Sequence, residues 1–443
     1  MEVFLIKAAQ LILSLSLLVI IHEFGHFLFA RIFKTRVEKF YLFFDPWFSL
    51  FKVKRGETEY GVGWLPLGGY VKISGMIDES MDKEAMKLPP QPYEFRSKKS
   101  WQRLLIMIGG VVMNFILAFV LYIAVLYAWG EQYLPTANMK YGIEVDTVGV
   151  QIGLRNGDKI LSVDNIPVEN YRKIIPTVVL DKARTIQVER DGQKIDVEVS
   201  DEDLALLIKS KGVLSFRIPF EYKIGKLAKN SVAKDAGLKV GDQIVGMNNK
   251  TYEFNDQFKA ALHDSIGKKI VLNVVRDSQK MDFPLVVPTE GVLGIVLDLD
   301  LEKIFEFKTI NYSLIESIPA GFNRGISTIS DYLKQFKLIF SPKTKAYESL
   351  GGFIAIGNIF PGAWSWYDFW NMTAFLSIIL GVMNLLPIPA LDGGHVMFLL
   401  FEMITGRKPG DKFLEYAQIT GMVLLLALVL YANGNDIFKL LFK

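Results

Sequence analysis

The run from Val3 to Ala30 constrains this chain more than any other stretch. It is apolar and long enough to cross a bilayer, yet it carries His22, Glu23 and His26 near its end. A segment in lipid must satisfy its own backbone hydrogen bonds, so this run predicts a helix. An ionisable residue inside a span is disfavoured by about 3 kcal/mol and persists where it has a functional partner. Residues four apart share a helix face, so the imidazoles of His22 and His26 can grip one metal ion with Glu23 beside it. The sequence holds only four histidines, His22, His26, His263 and His395. At that frequency a chance His-Glu-x-x-His arises on the order of once in several hundred such chains. Lys7 stands alone before the run while Arg31, Lys34, Arg36 and Lys39 follow it, the reverse of a cleaved signal peptide, so the run reads as a retained first span.

Three further runs extend this picture. The second, about Leu104 to Trp129, has Asn114 as its only strongly polar member, with Trp101 and Trp129 near its ends as interfacial anchors. The third and fourth, about Phe369 to Leu386 and Phe413 to Ala432, carry Asn384 and the pair Glu415 and Gln418. Composition agrees: hydrophobic residues make up 51% of the 443 and mean hydropathy is +0.27. Fifty Lys and Arg against 47 Asp and Glu leave +3, which gives no basic field for nucleic acid. The absence of cysteine excludes disulfides, thiolate metal sites and cysteine nucleophiles. Lys and Arg flank the loops between spans one and two and between spans three and four, which places those loops in the cytoplasm. The segment from about Gly130 to Asp368 then lies outside, which in a Gram-negative cell is the periplasm.

That external segment repeats itself. Gly153-Leu154-Arg155-Asn156-Gly157-Asp158-Lys159-Ile160 matches Gly237-Leu238-Lys239-Val240-Gly241-Asp242-Gln243-Ile244, and the register continues from Val163-Asp164-Asn165 to Met247-Asn248-Asn249. Each copy leads into strand-like alternation, as in Thr185 to Val199 and Ile270 to Val287. The pattern at Ala236 to Ile244 resembles PDZ domains, which capture an extended peptide along a sheet edge; Ile152 replaces the alanine in the first copy. Beyond the repeat, Phe322, Ile326, Ile329, Leu333, Phe336 and Phe340 fall at steps of four and three, predicting an amphipathic helix ended by Pro342. Its default role is packing, with a gate or an interfacial helix as the alternative. His263 reads as an ordinary surface histidine.

A catalytic zinc takes a third protein ligand and keeps a position open. The donor stretch is Asn384-Leu385-Leu386-Pro387-Ile388-Pro389-Ala390-Leu391-Asp392-Gly393-Gly394-His395, at the cytoplasmic end of span three. Residue chemistry alone divides the choice between Asp392 and His395 evenly. The first motif on span one together with Asn384-x-x-Pro387-x-Pro389-x-Leu391-Asp392-Gly393 on span three resembles the site-2 protease family of intramembrane metalloproteases. The resemblance covers nearly the whole chain and implies that His22, His26 and Asp392 bind Zn2+. It also implies Glu23 as the catalytic base and Asn384 as a substrate contact. Gly61, Val62, Gly63, Trp64, Leu65, Pro66, Leu67, Gly68 and Gly69 lie in a stretch similar to the family's membrane re-entrant β-hairpin, whose edge strand holds unwound substrate; read alone, it is an aromatic, Gly-rich loop. Gly110-Val111-Val112-Met113-Asn114-Phe115 departs from relatives that have Gly-Pro before the Asn-Phe. A Gly-Pro step is likewise missing near Gly352-Phe353-Ile354.

The expected fold is a polytopic α-helical membrane protein with about four transmembrane helices, a re-entrant β-hairpin and two tandem PDZ-like β-rich domains. Its parts are a first span at 1–33, a cytoplasmic-side loop with the hairpin at 34–102 and a second span at 103–130. PDZ-like domains follow at 131–212 and 213–300, then an amphipathic helix and linker at 301–367 and the last two spans at 368–443. The resemblance implies zinc-dependent cleavage of transmembrane segments in single-span proteins of the inner membrane, such as trimmed anti-sigma factors or remnant signal peptides, in an envelope stress response. The PDZ pair would serve as size filter or tail reader. The rivals are a non-catalytic scaffold with peptide-binding modules and an ion transporter using His22, Glu23 and Asp392 as a relay; the absence of broken-helix repeats speaks against the latter.

Overall fold

In lipid a backbone amide finds no solvent partner, and the apolar runs of this chain close their hydrogen bonds as helices. The computed structural model describes residues 2–66, 68–76, 89–210, 212–220, 222–339, 341, 346–349 and 351–442. The chain divides into two units, one comprising Met1–Glu131, Asn311–Phe336 and Tyr347–Lys443, the other Gln132–Ile310 and Lys337–Ala346. In the first, α1 (Glu2–Ile32), α2 (Ser100–Trp129), α3 (Leu314–Ile339), α4 (Trp366–Leu385), α5 (Asp392–Thr405) and α6 (Asp411–Phe442) follow one another along the sequence. Among the described residues α1, α2, α4 and α6 are long and apolar enough to cross a membrane. The fourth span runs on to Phe442, past its expected end at Ala432.

Glycine sets how closely the first two helices approach. A Cβ on Gly25 would stand 2.2 Å from the carbonyl oxygen of Gly109, and one on Gly109 would stand 2.6 Å from that of Gly25, so α1 and α2 cross with their backbones in contact. On the other side of α2, Ala118 and Tyr122 pack with Ala374, Ile378 and Val382 of α4. Polar side chains join these helices within the core: Ser377 Oγ donates to the Asn114 carbonyl at 2.7 Å and Thr373 Oγ1 to Ser14 Oγ at 3.0 Å. Arg103 of α2 meets Glu402 of α5 at 2.5 Å, both largely buried. Several contacts hold helix α6. Gly421 lies against the carbonyl of Pro389, and Asp436 accepts the N–H groups of Gly352 and Ala355 at 2.9 and 3.0 Å.

Between α1 and α2 the chain builds a four-stranded sheet from β1 (Val37–Leu42), β2 (Phe44–Arg55), β3 (Thr58–Leu65) and β4 (Tyr70–Ile73), in the order β2-β3-β1-β4. Strands β1 and β3 are parallel, and the other pairings are antiparallel. The glycines of β3 are dictated by what crosses them. A Cβ on Gly61 would enter the Tyr41 ring at 2.3 Å, and one on Gly63 would meet the Phe44 carbonyl at 2.1 Å. Trp64 stacks with Trp47 and Phe48 and donates its indole N–H to the Pro46 carbonyl. The aromatic, Gly-rich stretch is therefore β3, the link through Pro66, Gly68 and Gly69, and the start of β4; Leu67 lies outside the described residues. β3 is flanked by both β1 and β2 from Glu59 to Val62, while Gly63 and Leu65 pair with β2 alone. The outer strand of the sheet in this stretch is β4, which begins at Tyr70.

Helix α3 carries the predicted amphipathic pattern and tolerates Pro319 within its first turns. Phe322 stacks on Phe119 of α2 with ring centres 4.8 Å apart, where Gly325 leaves room for the same ring. Phe340 and Pro342 lie outside the described residues.

In the second unit the sequence repeat is also a structural one. Strands Lys159–Val163, Thr185–Arg190 and Gln193–Glu198 form the sheet of the first copy. Gln243–Met247, Lys269–Arg276 and Gln279–Val286 occupy the same order in the second, extended by Lys223–Leu227 and Ile295–Asp298. Each copy has its own apolar core, around Leu154, Ile160 and Ile186 in one and Leu238, Ile244 and Leu272 in the other. The repeated aspartate is buried in both. Asp158 receives two bonds from Arg190 at 2.7 and 2.8 Å, and Asp242 receives two from Arg276 at the same distances. Each arginine also donates to the carbonyl of the repeat's first glycine, Gly153 or Gly237. His263 ends the helix Asn255–His263 and is exposed.

Candidate metal centre

Helical spacing brings His22 and His26 of α1 onto one face with ring centres 4.9 Å apart, both largely buried. Asp392 arrives from α4 by way of a turn that its prolines and glycines specify. Pro387 and Pro389 cannot continue a helix, and Ala390 adopts a positive φ of 78°. Gly393 and Gly394 admit the turn's backbone, where Cβ atoms would stand 2.1 Å from the Leu386 carbonyl oxygen and 2.6 Å from Pro389 Cα. Asp392 is then the first residue of α5.

The three side chains converge. Asp392 Oδ2 lies 3.2 Å from His22 Nε2 and 3.3 Å from His26 Nε2, and the two Nε2 atoms are 3.2 Å apart. Among the described residues these three form the one group of His, Asp and Glu side chains whose donor atoms could share a metal ion. A tetrahedral zinc with bonds of about 2.0–2.1 Å requires donor atoms about 3.3–3.4 Å apart, so the triangle has the dimensions of one face of that tetrahedron. Asp392 Oδ2 is buried without a hydrogen-bond partner, the condition of a carboxylate oxygen that a cation would satisfy.

Helix α2 supplies the wall behind the imidazoles. The Nδ1 of His26 faces the Ile106 carbonyl at 2.9 Å; a carbonyl only accepts, so Nδ1 carries the proton and Nε2 keeps its lone pair toward Asp392. One turn on, Gly110 has no side chain, and the rings occupy that space: a Cβ there would stand 2.6 Å from His26 Nε2 and 2.8 Å from His22 Nε2. A further turn on, the amide of fully buried Asn114 lies 3.0 Å from His22 Nδ1.

A cavity of about 460 Å³ opens in front of the cluster, lined by His22, Glu23, His26 and Asp392 on one side and by Gly69 to Ile73 on another. Gly69 approaches Glu23 closely enough that a Cβ would stand 3.4 Å from Glu23 Cγ. His395, the competing donor in the sequence, lines the cavity but is outside the donor triangle. Asn384 sits in the last turn of α4, partly exposed and outside the cavity lining. Gly61 to Leu65 lie within β3, Gly61 and Val62 between β1 and β2, and of the predicted loop residues Gly69 reaches the cavity. Sequence reasoning assigned no role to Gly110 or to the Ile106 carbonyl. Asn114, the lone strongly polar residue of its span, was the available signal for the third element of this wall.

Two histidines and a glutamate on an apolar, membrane-length helix, with an aspartate beside them in one cavity, fit a membrane-embedded metalloprotease. The model of peptidase family M50 matches residues 10–428, and the chain belongs to that family, the site-2 proteases. It is 28% identical to a Neisseria meningitidis protein whose name includes zinc metalloprotease, over 97% of this chain and 98% of that one. It is 27% identical to protease RseP of Yersinia pestis and to regulator of sigma-E protease RseP of Salmonella typhimurium, over 98% of both chains in each case.

Proposed function

We propose that this metalloprotease hydrolyses a peptide bond inside the transmembrane segment of single-span proteins, with zinc held by His22, His26 and Asp392. The observation that carries the reading is the donor triangle, matched in size to zinc, in a cavity that also exposes Glu23. Bound zinc supplies Lewis acidity, which polarises a carbonyl oxygen and lowers the pKa of water to about 7. Glu23 takes the proton of the attacking water and passes it to the leaving amine, so no covalent intermediate with the protein is needed. A helical substrate presents carbonyls already hydrogen-bonded, and cleavage requires local unwinding. The outer strand β4, Tyr70 to Ile73, borders the cavity and is the strand along which replacement backbone bonds would form. Asn384 is read as a substrate contact on the family resemblance alone.

The two β-rich modules of the second unit are read as PDZ-like domains that filter substrates by size or hold a peptide tail. The Salmonella typhimurium relative is named regulator of sigma-E protease, which supports anti-sigma factors, already trimmed by an earlier protease, as substrates, with remnant signal peptides as a second group. The charge pattern supports a metal centre near the cytoplasmic face of an inner membrane, with the modules in the periplasm.

The test compares purified wild type and Glu23→Gln in detergent. Bound metal is quantified, and each is incubated with a model transmembrane substrate with and without a zinc chelator. Equal zinc in both, with chelator-sensitive cleavage in the wild type alone, is the expected result. Stoichiometric zinc without cleavage of several pre-trimmed substrates would favour a scaffold, and absence of metal would remove the site.

A further inference from the structure

The two imidazoles are not held alike. His26 has a backbone carbonyl on its Nδ1, which admits one tautomer only, whereas His22 faces a side-chain amide, whose oxygen and nitrogen exchange places by a half-turn. With the amide nitrogen toward His22, Nδ1 must accept, the proton sits on Nε2, and that atom has no lone pair for a cation. With the amide oxygen toward His22, Nδ1–H donates to it and Nε2 presents its lone pair toward His26 and Asp392.

We propose that Asn114 is a positioning residue that sets the tautomer of His22. Its amide oxygen accepts from Nδ1 in the metal-binding form. The inference rests on the reading of His22, His26 and Asp392 as a zinc site. Three features of the fold serve it. Asn114 lies two helical turns from Ile106, so α2 offers an acceptor to each histidine from one face, with Gly110 making the gap between them. Ser377 of α4 donates to the Asn114 carbonyl at 2.7 Å, which fixes the turn that carries the amide. The residue is fully buried, so water cannot replace the lost acceptor at low cost. Partners that orient a metal-binding histidine change metal affinity by about 10–100-fold when removed.

The experiment measures zinc affinity by chelator competition on the purified full-length protein, for wild type, Asn114→Asp, Asn114→Leu and His22→Ala. Asn114→Leu keeps the size and removes the acceptor; its zinc affinity should fall about 10–100-fold. Asn114→Asp keeps an acceptor and should stay within a few-fold of wild type. The cobalt-substituted forms give a second readout, because a ligand field changed in the leucine variant and restored in the aspartate variant reports on imidazole orientation rather than on folding. Wild-type affinity in Asn114→Leu, or equal losses in both Asn114 variants, would overturn the role of Asn114. If Asn114→Leu does not fold, Asn114→Asp alone decides: zinc affinity reduced tenfold or more in the folded aspartate variant refutes the proposal. Unchanged zinc binding in His22→Ala would instead overturn the metal site itself, so the two failures are distinct.

Discussion

Replacing Gly110 by alanine tests whether the metal centre is built against the backbone of α2. The added Cβ would stand 2.6 Å from His26 Nε2, 2.7 Å from His22 Cε1 and 2.8 Å from His22 Nε2, where ordinary contact begins at 3.4 Å. The rings would have to retreat by about 0.6–0.8 Å, against a tolerance of about 0.2 Å for metal–ligand distances. Helix α2 cannot yield instead, because one residue earlier Gly109 already touches the backbone of α1. The expected outcome is a loss of zinc affinity of at least about 10–100-fold with a parallel fall in cleavage. Overpacking adds a destabilisation of about 1–3 kcal/mol. Gly434→Ala in α6, where no atom lies within 4 Å of the new Cβ, is the control and should leave both properties unchanged. Zinc binding and turnover in Gly110→Ala within about twofold of wild type would refute the reasoning.

Two further outcomes follow from the same geometry and from the repeat. Asp392→Ala should abolish stoichiometric zinc while His395→Ala retains it, read by metal analysis of the purified proteins, because His395 lines the cavity outside the donor triangle. The Asp242 carboxyl feels burial, which would raise its pKa, yet the Arg276 guanidinium and the Lys239 N–H hold it below its ordinary value. Its folded pKa is therefore depressed: the stability it contributes is present above the unfolded value of about 3.9 and is lost as pH falls through the folded one. Hydrogen exchange in the second module should rise over that acid range, and Asp242→Asn should flatten the dependence.

Much of the site was legible because its signals are local. Two histidines one helical turn apart and an aspartate framed by Pro387, Pro389, Gly393 and Gly394 declare their geometry within a few residues. What escaped depends on distant pairing. The contact of Asn114 with His22 spans 92 positions and depends on which face α2 turns toward α1. The arginines that clasp Asp158 and Asp242 stand 32 and 34 residues downstream, so a register slid along the repeat does not align them. The stretch from Gly61 to Leu65 reads alone as an aromatic, Gly-rich loop but is strand, since β2 pairs along it and the parallel pairing with β1 covers Gly61 and Val62. The choice between Asp392 and His395 was even on residue chemistry; three residues apart, they are separated by the turn that delivers one of them to the two imidazoles.

The crossing of α1 and α2 has a mechanical consequence. With glycine backbones in contact at Gly25 and Gly109, a change in the angle between the two helices would press backbone against backbone. Bilayers of different thickness strain a membrane protein by fractions of a kcal/mol per ångström of mismatch, and that strain goes to the most compliant element. Here it falls on α6, whose apolar span is only 6% buried in the protein. Lipid composition would thus alter the lean of the last helix before it altered the angle at which two imidazoles face Asp392.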